Sequence, residues 1–583
     1  MKCNDGQRTG RVFSQKDALG AEPRRNLSKG WFGLVTGFWV ASVYAQPAYT
    51  PHIINNPTPR AEAGFGTSVA KVGDVNGDGK ADFLVGAPGH TADGNPRQGR
   101  AFVLSGADRS LLYRVNHPEP QANAHFGQAV AGTGDVNGDD IPDLLVGAPE
   151  QTVKGNDRQG RAFVFSGADG RLLYSLDTPT PQSDAVFGFS VADAGDVNGD
   201  NIPDLLIGAP GQDTPDMSKR GQAYVFSGAD GRPILTLRYP KFEGSGFGLS
   251  VAGAGDVTGD GIPDFLVGMP GLGRVGRALV LSGADGSLVH ILNAEQAPEE
   301  RAFLGSAVAG VGDVNGDGVP DLLVGAPFLP TGEYGSFIFG GGAFVFNGAT
   351  GQLLYQVENS APENNADFGS AVAGLDDVNG DGIPDLLVGA PGRETDDAPE
   401  GKVVIASGAD GRELLVLRNP GRQALAHFGR SVAGIGDVND DGVPDLVVGV
   451  PFQDARGNRD QGRAVLFLSR ASASITCLGV PATIVGTPGN DILRGTPGDD
   501  VIVGLAGNDV IDGRGGDDRI CGGDGNDVIQ GGAGSDRVDG GAGNDVINMV
   551  DGVRGNDTVN GGSHVSGDVC VADRGDTVRN CNP

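Results

Sequence analysis

A unit of about 60 residues recurs seven times in this chain of 583 residues, and this repeat limits the possible folds more than any other feature. Each unit opens with Phe-Gly or a close variant, and an acidic loop follows. The acidic loops begin at Asp74, Asp135, Asp196, Asp256, Asp313, Asp377 and Asp437. A period of this size is typical of solenoids, propellers and arrays, in which every unit forms the same supersecondary structure.

Each unit contains four short apolar segments that we interpret as β-strands. In the second unit, the apolar runs 163–165 and 172–174 flank Gly-Ala-Asp-Gly at 167–170, and Asp-Gly between two such runs predicts a hairpin. One further strand follows Phe-Gly, and another follows the acidic loop. Four strands in each repeat are typical of propeller blades, and an open stack of solenoid repeats is the alternative.

The two ends of the repeat region favour a closed ring. The seventh unit stops after the apolar run 465–467 and lacks the last hairpin strand, and residues 52–57, before the first Phe-Gly, resemble that missing strand. An N-terminal strand that completes the last blade removes the free sheet edges, whereas an open solenoid has no use for such a split. We therefore predict an all-β fold with a seven-bladed β-propeller over residues 46–470.

The acidic loops predict metal sites. In the first loop, Asp74, Asn76, Asp78 and Asp82 place oxygen side chains at positions 1, 3, 5 and 9, and calcium prefers six to eight oxygen ligands. Position 6 is always Gly, Asp or Asn, residues that tolerate the positive φ expected there. Position 12 lacks the Glu of an EF-hand. Asx-rich turns without metal are the alternative interpretation.

Calcium is thus the cofactor that the loops predict, with Thr258 as the weakest position 3 and Asp440 in place of a loop glycine. The candidate ligands in the propeller are Asp74, Asn76, Asp78, Asp82, Asp135, Asn137, Asp139, Asp143, Asp196, Asn198, Asp200, Asp204, Asp256, Thr258, Asp260, Asp264, Asp313, Asn315, Asp317, Asp321, Asp377, Asn379, Asp381, Asp385, Asp437, Asn439, Asp441 and Asp445.

The Phe-Gly and Gly-Ala-Pro landmarks, with Asp-x-Asn-x-Asp-Gly-x-x-Asp between them, resemble the FG-GAP repeats of the integrin α-subunit propeller over residues 52–470. In that family the calcium loops lie on the lower face of a seven-bladed ring, and partners bind the upper face. The resemblance implies a calcium-stabilised interaction platform. Integrin loops often have Asp at position 3, where this chain has Asn. Similar repeats also occur beside enzyme domains, such as a phospholipase D that cleaves lipid anchors, so the fold does not determine the function.

From residue 486 the period changes to nine residues, and seven units follow without slippage. Each unit begins with Gly, carries Asp at position 6 and has an aliphatic residue at position 8, which is the pattern of a parallel β-roll. The pattern resembles the RTX, or haemolysin-type, calcium repeats of secreted bacterial proteins. We predict a β-roll within residues 471–583, and a disordered glycine-rich tail is the alternative. Its candidate calcium ligands are Asp491, Asp500, Asp509, Asp518, Asp527, Asp536 and Asp545.

The formal net charge of −31 bears on which partners this chain can bind and on its need for cations. Nucleic-acid binding needs a basic face, so we expect no nucleic-acid partner. Carboxylates at this density repel one another unless cations neutralise them, and calcium binding is therefore expected to be coupled to folding of the roll. We predict that the roll is largely disordered at cytosolic calcium and ordered outside the cell.

The N-terminus predicts export. Arg24, Arg25 and Lys29 precede an apolar stretch over residues 30–45, which is the pattern of a secretory signal with cleavage near Ala45. We therefore assign residues 1–45 to a signal peptide and expect no transmembrane segment in the mature chain. An uncleaved anchor helix is the alternative, although the stretch is short for a span of about 20 residues.

Four cysteines remain after such cleavage, and all lie in the last fifth of the chain: Cys477, Cys521, Cys570 and Cys581. An even number of cysteines in an exported protein suggests disulfides, for which three pairings are possible. We favour Cys477–Cys521 and Cys570–Cys581 because these loops are shorter. Four free buried thiols are the alternative.

The segments between Gly-Ala-Pro and the hairpin vary most from unit to unit, and we expect them to share one face because they follow equivalent strands. The fifth segment carries Phe328, Tyr334, Phe337 and Phe339 in a chain with few aromatic residues. Exposed aromatic side chains often anchor interfaces, so these are candidate partner-binding residues. Local coverage of the blade is the alternative.

The sequence predicts a binding protein rather than an enzyme. It has no Gly-x-Ser-x-Gly elbow and no pair of histidines at metal-ligand spacing, and two repeat systems leave no room for a catalytic domain. We expect a secreted or surface-exposed calcium-binding adhesion or recognition protein, whose partner is an extracellular protein or glycan. The alternatives are a self-assembling surface or matrix protein and a lipid or polysaccharide hydrolase with a site on the propeller rim.

Overall fold

The structure is a computed structural model that describes residues 48–213, 220–239, 246–271, 276–293, 302–330, 340–360, 366–392, 401–470, 476–486, 489–563 and 567–581. These residues form strands and turns and contain no helix. They build a seven-bladed β-propeller and then a parallel β-solenoid of about five turns, which confirms the predicted fold class. The predicted signal peptide lies outside the described residues.

The propeller consists of seven four-stranded antiparallel sheets. Strand β1 (Ala48–Asn55) belongs to the seventh sheet, and the first six sheets follow in chain order. The first sheet contains β2 (Ser68–Gly73), β3 (Asp82–Ala87), β4 (Arg100–Leu104) and β5 (Leu111–Asn116), and the second contains β6 (Val130–Gly132), β7 (Leu144–Ala148), β8 (Arg161–Phe165) and β9 (Leu172–Leu176). The third sheet contains β10 (Ser190–Gly195), β11 (Asp204–Ala209), β12 (Gln222–Phe226) and β13 (Pro233–Leu237), and the fourth contains β14 (Val251–Gly255), β15 (Asp264–Met269), β16 (Arg277–Leu281) and β17 (Leu288–Leu292). The fifth sheet contains β18 (Ala307–Gly312), β19 (Asp321–Ala326), β20 (Gly342–Phe346) and β21 (Leu353–Gln356), and the sixth contains β22 (Ala371–Leu375), β23 (Asp385–Ala390), β24 (Lys402–Ala406) and β25 (Glu413–Arg418). The seventh sheet adds β26 (Val432–Gly436), β27 (Asp445–Val450) and β28 (Arg463–Arg470) to β1.

The second and third strands of each blade are apolar runs because both faces of the blade are buried. In the second blade, Leu144 and Val146 pack with the first blade, whereas Leu145 between them packs with the third. Successive side chains of a strand point to opposite faces, so one strand contributes to two inter-blade cores. The core of the propeller is therefore a ring of seven apolar layers between neighbouring sheets.

The ring is closed by the N-terminal strand, as the sequence predicts. Strand β1 pairs antiparallel with β28, with His52 opposite Leu466 and Ile54 opposite Ala464. Ile54 is buried in the core between the seventh and first blades. The Tyr49 hydroxyl also donates a hydrogen bond of 2.8 Å to the carbonyl oxygen of Pro444. Closure thus removes the free edge that an unpaired seventh blade would have.

The Phe-Gly and Gly-Ala-Pro landmarks exist because neighbouring blades touch backbone to backbone. Phe65 and Phe126 are fully buried. A Cβ at Gly86 would lie 2.1 Å from the carbonyl oxygen of Gly127 in the next blade, and Gly127 itself has a φ of 85°. Only glycine fits such an approach. These landmarks lie on the face of the propeller opposite the acidic loops, because they occupy the other ends of the same strands.

The C-terminal region begins with a two-stranded hairpin of β29 (Thr476–Cys477) and β30 (Val480–Pro481), and two parallel sheets follow. One sheet contains β31 (Ile484–Val485), β33 (Val501–Val503), β35 (Arg519–Asp524), β37 (Arg537–Ala542), β39 (Thr558–Asn560) and β41 (Thr577–Arg579). The other contains β32 (Ile492–Arg494), β34 (Val510–Asp512), β36 (Val528–Gln530), β38 (Val546–Met549) and β40 (Val569–Ala572). The chain alternates between the sheets, so each full turn comprises two nonapeptides.

The aliphatic residue at position 8 of each nonapeptide fills the core between these sheets. Ile502, Ile511, Ile520 and Ile529 are almost completely buried and belong to one apolar cluster. Both favoured disulfides are present: Cys477 is bonded to Cys521, and Cys570 is bonded to Cys581.

Candidate functional site

The carboxylate at position 1 organises each acidic loop through backbone N–H groups. The Asp74 Oδ1 atom accepts a hydrogen bond of 2.7 Å from the N–H of Gly77, and its Oδ2 atom accepts one of 2.8 Å from the N–H of Gly79. All seven loops have the bond from the position 6 N–H to the position 1 carboxylate, at 2.6 to 2.8 Å. The loop therefore wraps around its own first side chain.

Position 6 has a positive φ in all seven loops, as the sequence predicts. The φ is 84° at Gly79, and it is 63° at Asp140 and 64° at Asn201, where the residue is not glycine. This conformation turns the N–H of position 6 towards the carboxylate of position 1.

The aspartates at position 9 have a structural role that the sequence does not show. Asp143 is fully buried, and its carboxylate accepts hydrogen bonds of 2.9 Å from the N–H of Val136 in the loop and 2.9 Å from the N–H of Gly167 in the hairpin of the same blade. We call these seven residues the anchor aspartates, because each joins an acidic loop to the end of the third strand of its blade: Asp82, Asp143, Asp204, Asp264, Asp321, Asp385 and Asp445. Their predicted role as calcium ligands stays a prediction.

Two carboxylate positions of the second loop, position 1 and position 9, have pKa values that shift in opposite directions. Burial raises the pKa of the anchor aspartates Asp82 and Asp143 to about 6 and that of Asp385 to about 7, although backbone N–H groups act against the shift. At position 1, desolvation also acts to raise the pKa of Asp135, but N–H donors such as those of Asp140 and Gly138 outweigh it and hold the pKa below its ordinary value. Burial and hydrogen bonding thus shift the pKa values of Asp135 and Asp143 in opposite directions within the second loop.

Two loops depart from the common sequence at position 3 or position 4, and each makes a local contact at the changed residue. In the fourth loop, Thr258 replaces Asn, and its backbone N–H donates to the anchor Asp264 at 3.0 Å. In the seventh loop, Asp440 replaces glycine at a φ of 61° and forms an ion pair with Lys80 of the first loop. This ion pair links the acidic loops of the last and first blades.

The nonapeptide aspartates stack in two columns, one along each edge of the solenoid. In one column, the N–H of Asp509 donates to the Oδ1 atom of Asp527 at 2.8 Å, and the N–H of Asp527 donates to Asp545 at 2.9 Å. In the other, the N–H of Asp518 donates to Asp536 at 3.0 Å. The side chains lie over the first glycine of their unit, where an added Cβ would be about 2.5 Å from the carboxylate. We call these arrays the aspartate columns.

The second oxygen of many column aspartates is buried without a partner. The Oδ2 atoms of Asp509, Asp518, Asp527, Asp545 and Asp557 accept no hydrogen bond. Burial, followed by the neighbouring carboxylates, raises the pKa of Asp518 to about 7 and that of Asp527 to about 6, although a backbone N–H lowers each of them. Buried anionic oxygens without donors need a cation, and a hard cation such as calcium prefers oxygen ligands. The columns therefore fit calcium.

Asp500 near the start of the roll differs, because its unit has Thr496 at position 2, where the later units have a second glycine. Its Oδ2 atom accepts hydrogen bonds of 2.6 Å from the N–H and 3.0 Å from the hydroxyl of Thr496, the residue in place of that glycine. This aspartate is already satisfied by the protein.

The columns extend beyond the seven predicted units. The N–H of Asp536 donates to Asp557, and that of Asp545 donates to Asp568, at 3.0 and 2.9 Å. Asp557 and Asp568 are not among the predicted ligands, because insertions interrupt the nine-residue register after residue 548. The run Gly-Asn-Asp-Thr-Val at 555–559, similar to Gly-Asn-Asp-Val-Ile at 543–547, is the signal that would have found the first of them.

Among the residues that the structure describes, no three His, Cys, Asp or Glu side chains converge as a ready-made metal cluster. In the acidic loops the atoms that converge on the carboxylates are backbone N–H groups, and in the roll the carboxylates form columns. The candidate calcium ligands thus lie in repeated loops and columns rather than in one compact coordination site.

The face opposite the acidic loops has a depression of about 780 Å³ on the propeller axis. Every blade contributes the residue that follows the glycine of its Phe-Gly landmark: Thr67, Gln128, Phe189, Leu249, Ser306, Ser370 and Arg430. We call this the axial depression. Phe189 and Leu249 make one side apolar, whereas Arg430 and its neighbours make the other side polar.

Phe328, one of the predicted partner-binding residues, lines the axial depression and is half-buried. Its ring packs edge-on against Phe303, with centroids 4.9 Å apart. Tyr334, Phe337 and Phe339 lie outside the described residues. On the polar side, desolvation lowers the pKa of Arg430, and Asp367 acts against this shift.

Three neighbouring blades carry the same loop on this face, which the sequence analysis did not recognise. In the seventh, first and second blades, a tight turn brings the residue pairs 455 and 458, 92 and 95, and 153 and 156 together. The asparagine of each turn donates to a buried glutamine three residues later, as Asn95 does to Gln98 at 2.9 Å. The shared sequence Gly-Asn-x-x-Gln-Gly was the available signal.

Two protein-family models match the chain. The FG-GAP repeat matches residues 65–104, 126–165, 187–226, 304–339, 368–405 and 428–467. The RTX calcium-binding nonapeptide repeat, in four copies, matches residues 485–520 and 514–547. The fourth unit, which contains Thr258, is not among the matched FG-GAP segments, although the structure gives it a complete blade, β14 to β17.

Integrin α subunits are among the proteins of similar sequence. Integrin alpha-5 of Xenopus laevis is 34% identical over 218 residues, which are 35% of this chain and 20% of that protein. Integrin alpha-IIb of Mus musculus is 36% identical over 224 residues, or 36% and 20%. Integrin alpha-8 of Gallus gallus is 30% identical over 321 residues, or 49% and 28%. The similarity thus spans between a fifth and about a quarter of these relatives.

Proposed function

Because the chain contains FG-GAP repeats of the integrin α type and RTX calcium-binding nonapeptide repeats, we propose that it is an exported calcium-binding recognition protein. In this proposal the propeller presents the binding surface, and the roll is ordered by extracellular calcium. Adhesion to an extracellular protein or glycan is the expected activity.

The calcium part of the proposal is supported by the aspartate columns. Their buried Oδ2 atoms lack donors, and the stacked carboxylates repel one another. A bound cation would supply the missing partner of these oxygens and offset the repulsion between the carboxylates. The two disulfides of the roll agree with an oxidising, extracellular location.

The recognition part of the proposal rests on the residue types that line the axial depression. The acidic loops repeat nearly the same residues seven times, as a structural element does. The seven equivalent residues around the axial depression are instead Thr, Gln, Phe, Leu, Ser, Ser and Arg. Concave surfaces with apolar walls and a few polar groups are typical ligand sites. We therefore propose that this face binds the partner, and that the protein acts by binding rather than catalysis.

In the described part of the chain no helix has the length and apolar character needed to cross a bilayer. The proposed export follows from the basic and apolar pattern of residues 1–45 and from the extracellular character of both repeat types.

The proposal is tested by capture of the chain on an array of glycans, matrix proteins and cell surfaces, in millimolar calcium and in chelator. We expect calcium-dependent capture by one class of surface, and a loss when Arg430→Gln and Phe328→Ser are combined. Arg171→Gln is the matched control, because Arg171 is exposed on the hairpin at the opposite face. Equal capture by the combined variant would contradict a binding role of the axial depression, and concentration-dependent sedimentation without capture would favour self-assembly.

A further inference from the structure

The first residue of the third strand is cationic in five blades, and its environment differs in one of them. Four of these cations have a partner from the same protein. In the second blade, Arg161 donates from Nε to Asp177 at 2.6 Å and from Nη1 to Glu119 at 2.6 Å. The other three contacts are Arg277 to Tyr239 at 3.4 Å, Lys402 to Asn359 at 2.8 Å and Arg463 to Asn55 at 3.1 Å.

Arg100 of the first blade is the exception. Its Nε atom is buried and has no hydrogen-bond partner, and the structure gives its side chain no ion pair with any described residue. An arginine donor that is buried and unpaired costs free energy, which a ligand recovers when it supplies the acceptor.

Comparison of the two blades shows why Arg100 lacks a partner. Asn116 is opposite Arg100 in β5, at the position that Asp177 occupies beside Arg161. Thr58 has the same place in the first blade as Glu119 in the second, because each lies between two prolines shortly before the Phe-Gly landmark. The hydroxyl of Thr58 contacts the His90 ring at 2.9 Å. Both carboxylates of the second blade are thus replaced by neutral polar groups.

Two further arginines increase the positive charge at this place. Arg114 is opposite Phe102 on β5, so it lies on the same face of the blade as Arg100. Arg60 lies in the segment that enters the blade, and both Arg60 and Arg114 are exposed. Desolvation lowers the pKa of Arg100, Asp93 acts against this shift, and Arg114 and Arg60 lower the pKa further. Asp93 therefore contributes negative charge near this group.

We propose that Arg100, with Arg60 and Arg114, binds a carboxylate of an acidic sugar, which takes the place that Glu119 and Asp177 occupy beside Arg161. Arginine binds carboxylates through paired N–H donors, and a uronic acid presents hydroxyl groups next to its carboxylate. The exposed amide of Asn116 suits those hydroxyl groups. This inference rests on the proposed recognition function and adds a ligand class to it.

The experiment measures binding of trigalacturonate to the full chain in millimolar calcium by isothermal titration calorimetry. We expect binding that Arg100→Gln weakens about tenfold or more, the loss expected for a charged hydrogen bond. The paired change Thr58→Glu and Asn116→Asp installs the acids of the second blade, and it should abolish binding while the fold is retained. Arg161→Gln is the matched control, which should lower the melting temperature but leave the affinity unchanged.

The methyl ester of trigalacturonate, which lacks the charge, should not bind. Equal affinity of wild type and both Arg100-site variants, or absence of trigalacturonate binding by folded wild type, would overturn the proposal. Preferential binding of triglutamate would overturn the assignment of an acidic sugar as the ligand and indicate an acidic protein partner. Calcium-dependent capture on the array that is unaffected by Arg100→Gln would overturn this site while it leaves the proposed function in place.

Discussion

The acidic loops of the propeller and the aspartate columns of the roll use the same side chain at a fixed spacing, yet they satisfy it differently. In the loops, backbone N–H groups donate to both oxygens of position 1 and to the anchor aspartates. In the columns, one oxygen accepts a neighbouring N–H, and in five aspartates, Asp509 among them, the other is buried without a donor. The propeller therefore supplies its own partners for these carboxylates, whereas these buried oxygens of the roll have no protein partner.

The difference has a structural origin. A loop of nine residues folds back on itself and brings several N–H groups to one carboxylate. A turn of the roll stacks on the next turn, so each carboxylate meets one N–H and then other carboxylates. We expect calcium to adjust the propeller but to determine whether the roll folds.

The largest effect is expected from the disulfides, which in the described residues belong to the roll alone. Replacing Cys477 and Cys521 by Ser should destabilise the roll by about 4 kcal/mol from loop entropy, and replacing Cys570 and Cys581 by about 3 kcal/mol. The propeller transition should not move. Calorimetry in calcium measures both losses of stability. A shift of the propeller transition would show that the propeller also depends on these disulfides.

The next effect concerns the anchor aspartates. Asp143→Ala removes a buried carboxylate that accepts from Val136 and Gly167 and should cost about 2 to 4 kcal/mol, because both N–H groups remain buried. Its control, Asp139→Ala at exposed position 5, should cost less than about 1 kcal/mol. Denaturant unfolding in chelator measures the two. Similar losses for both would mean that position 9 has no special structural role.

A smaller effect is expected in the columns. Asp527→Asn removes one charge from a stacked array, so calcium should be needed at about tenfold higher concentration, a change of about 1.4 kcal/mol. The same substitution should stabilise the calcium-free roll, because repulsion falls. Asp524→Asn, exposed on the same turn, should change the midpoint less than twofold. Circular dichroism during calcium titration is the measurement, and equal midpoints for the two variants would contradict the column model.

The smallest effect for a single residue is the pH dependence that each of two buried histidines contributes to the stability of the propeller. Burial lowers the pKa of His90 and of His117 to about 4, and Arg100 and Arg161 respectively lower it further. The unfolded chain therefore takes up protons first, and stability falls as the pH decreases from 6.5 towards 4. Between pH 7 and 5.5 each histidine should cost about 1 kcal/mol.

The control for this pH dependence is the double variant His90→Gln and His117→Gln, studied by denaturant unfolding at both pH values. It should lose that part of the dependence. An unchanged slope would show that these histidines do not set it.

The repeats made the fold predictable, because seven copies of one pattern with a strand missing at one end and present at the other permit few arrangements. The conformation of position 6 and the buried position 8 followed from residue types such as Gly79 and Ile511. The role of Asp143 did not follow, because its partner Gly167 is 24 residues away and donates through the backbone. Asp557 was missed because an insertion shifts the register.

The axial depression also could not be predicted in detail. Its seven residues are far apart in sequence and share no residue type, so their proximity emerges from ring closure. The unpaired state of Arg100 could not be predicted either, because it depends on Thr58 and Asn116, which occupy the positions of Glu119 and Asp177 in the second blade.

Hydrogen exchange of the full chain in millimolar calcium and in chelator tests the central claim most directly, because it reports on both regions at once. We predict that amides in β33 to β38 of the roll lose their protection in chelator, while those in the second and third strands of every blade keep it. Retained protection of the roll in chelator, or simultaneous loss in both regions, would contradict the claim that the roll alone depends on calcium for its fold.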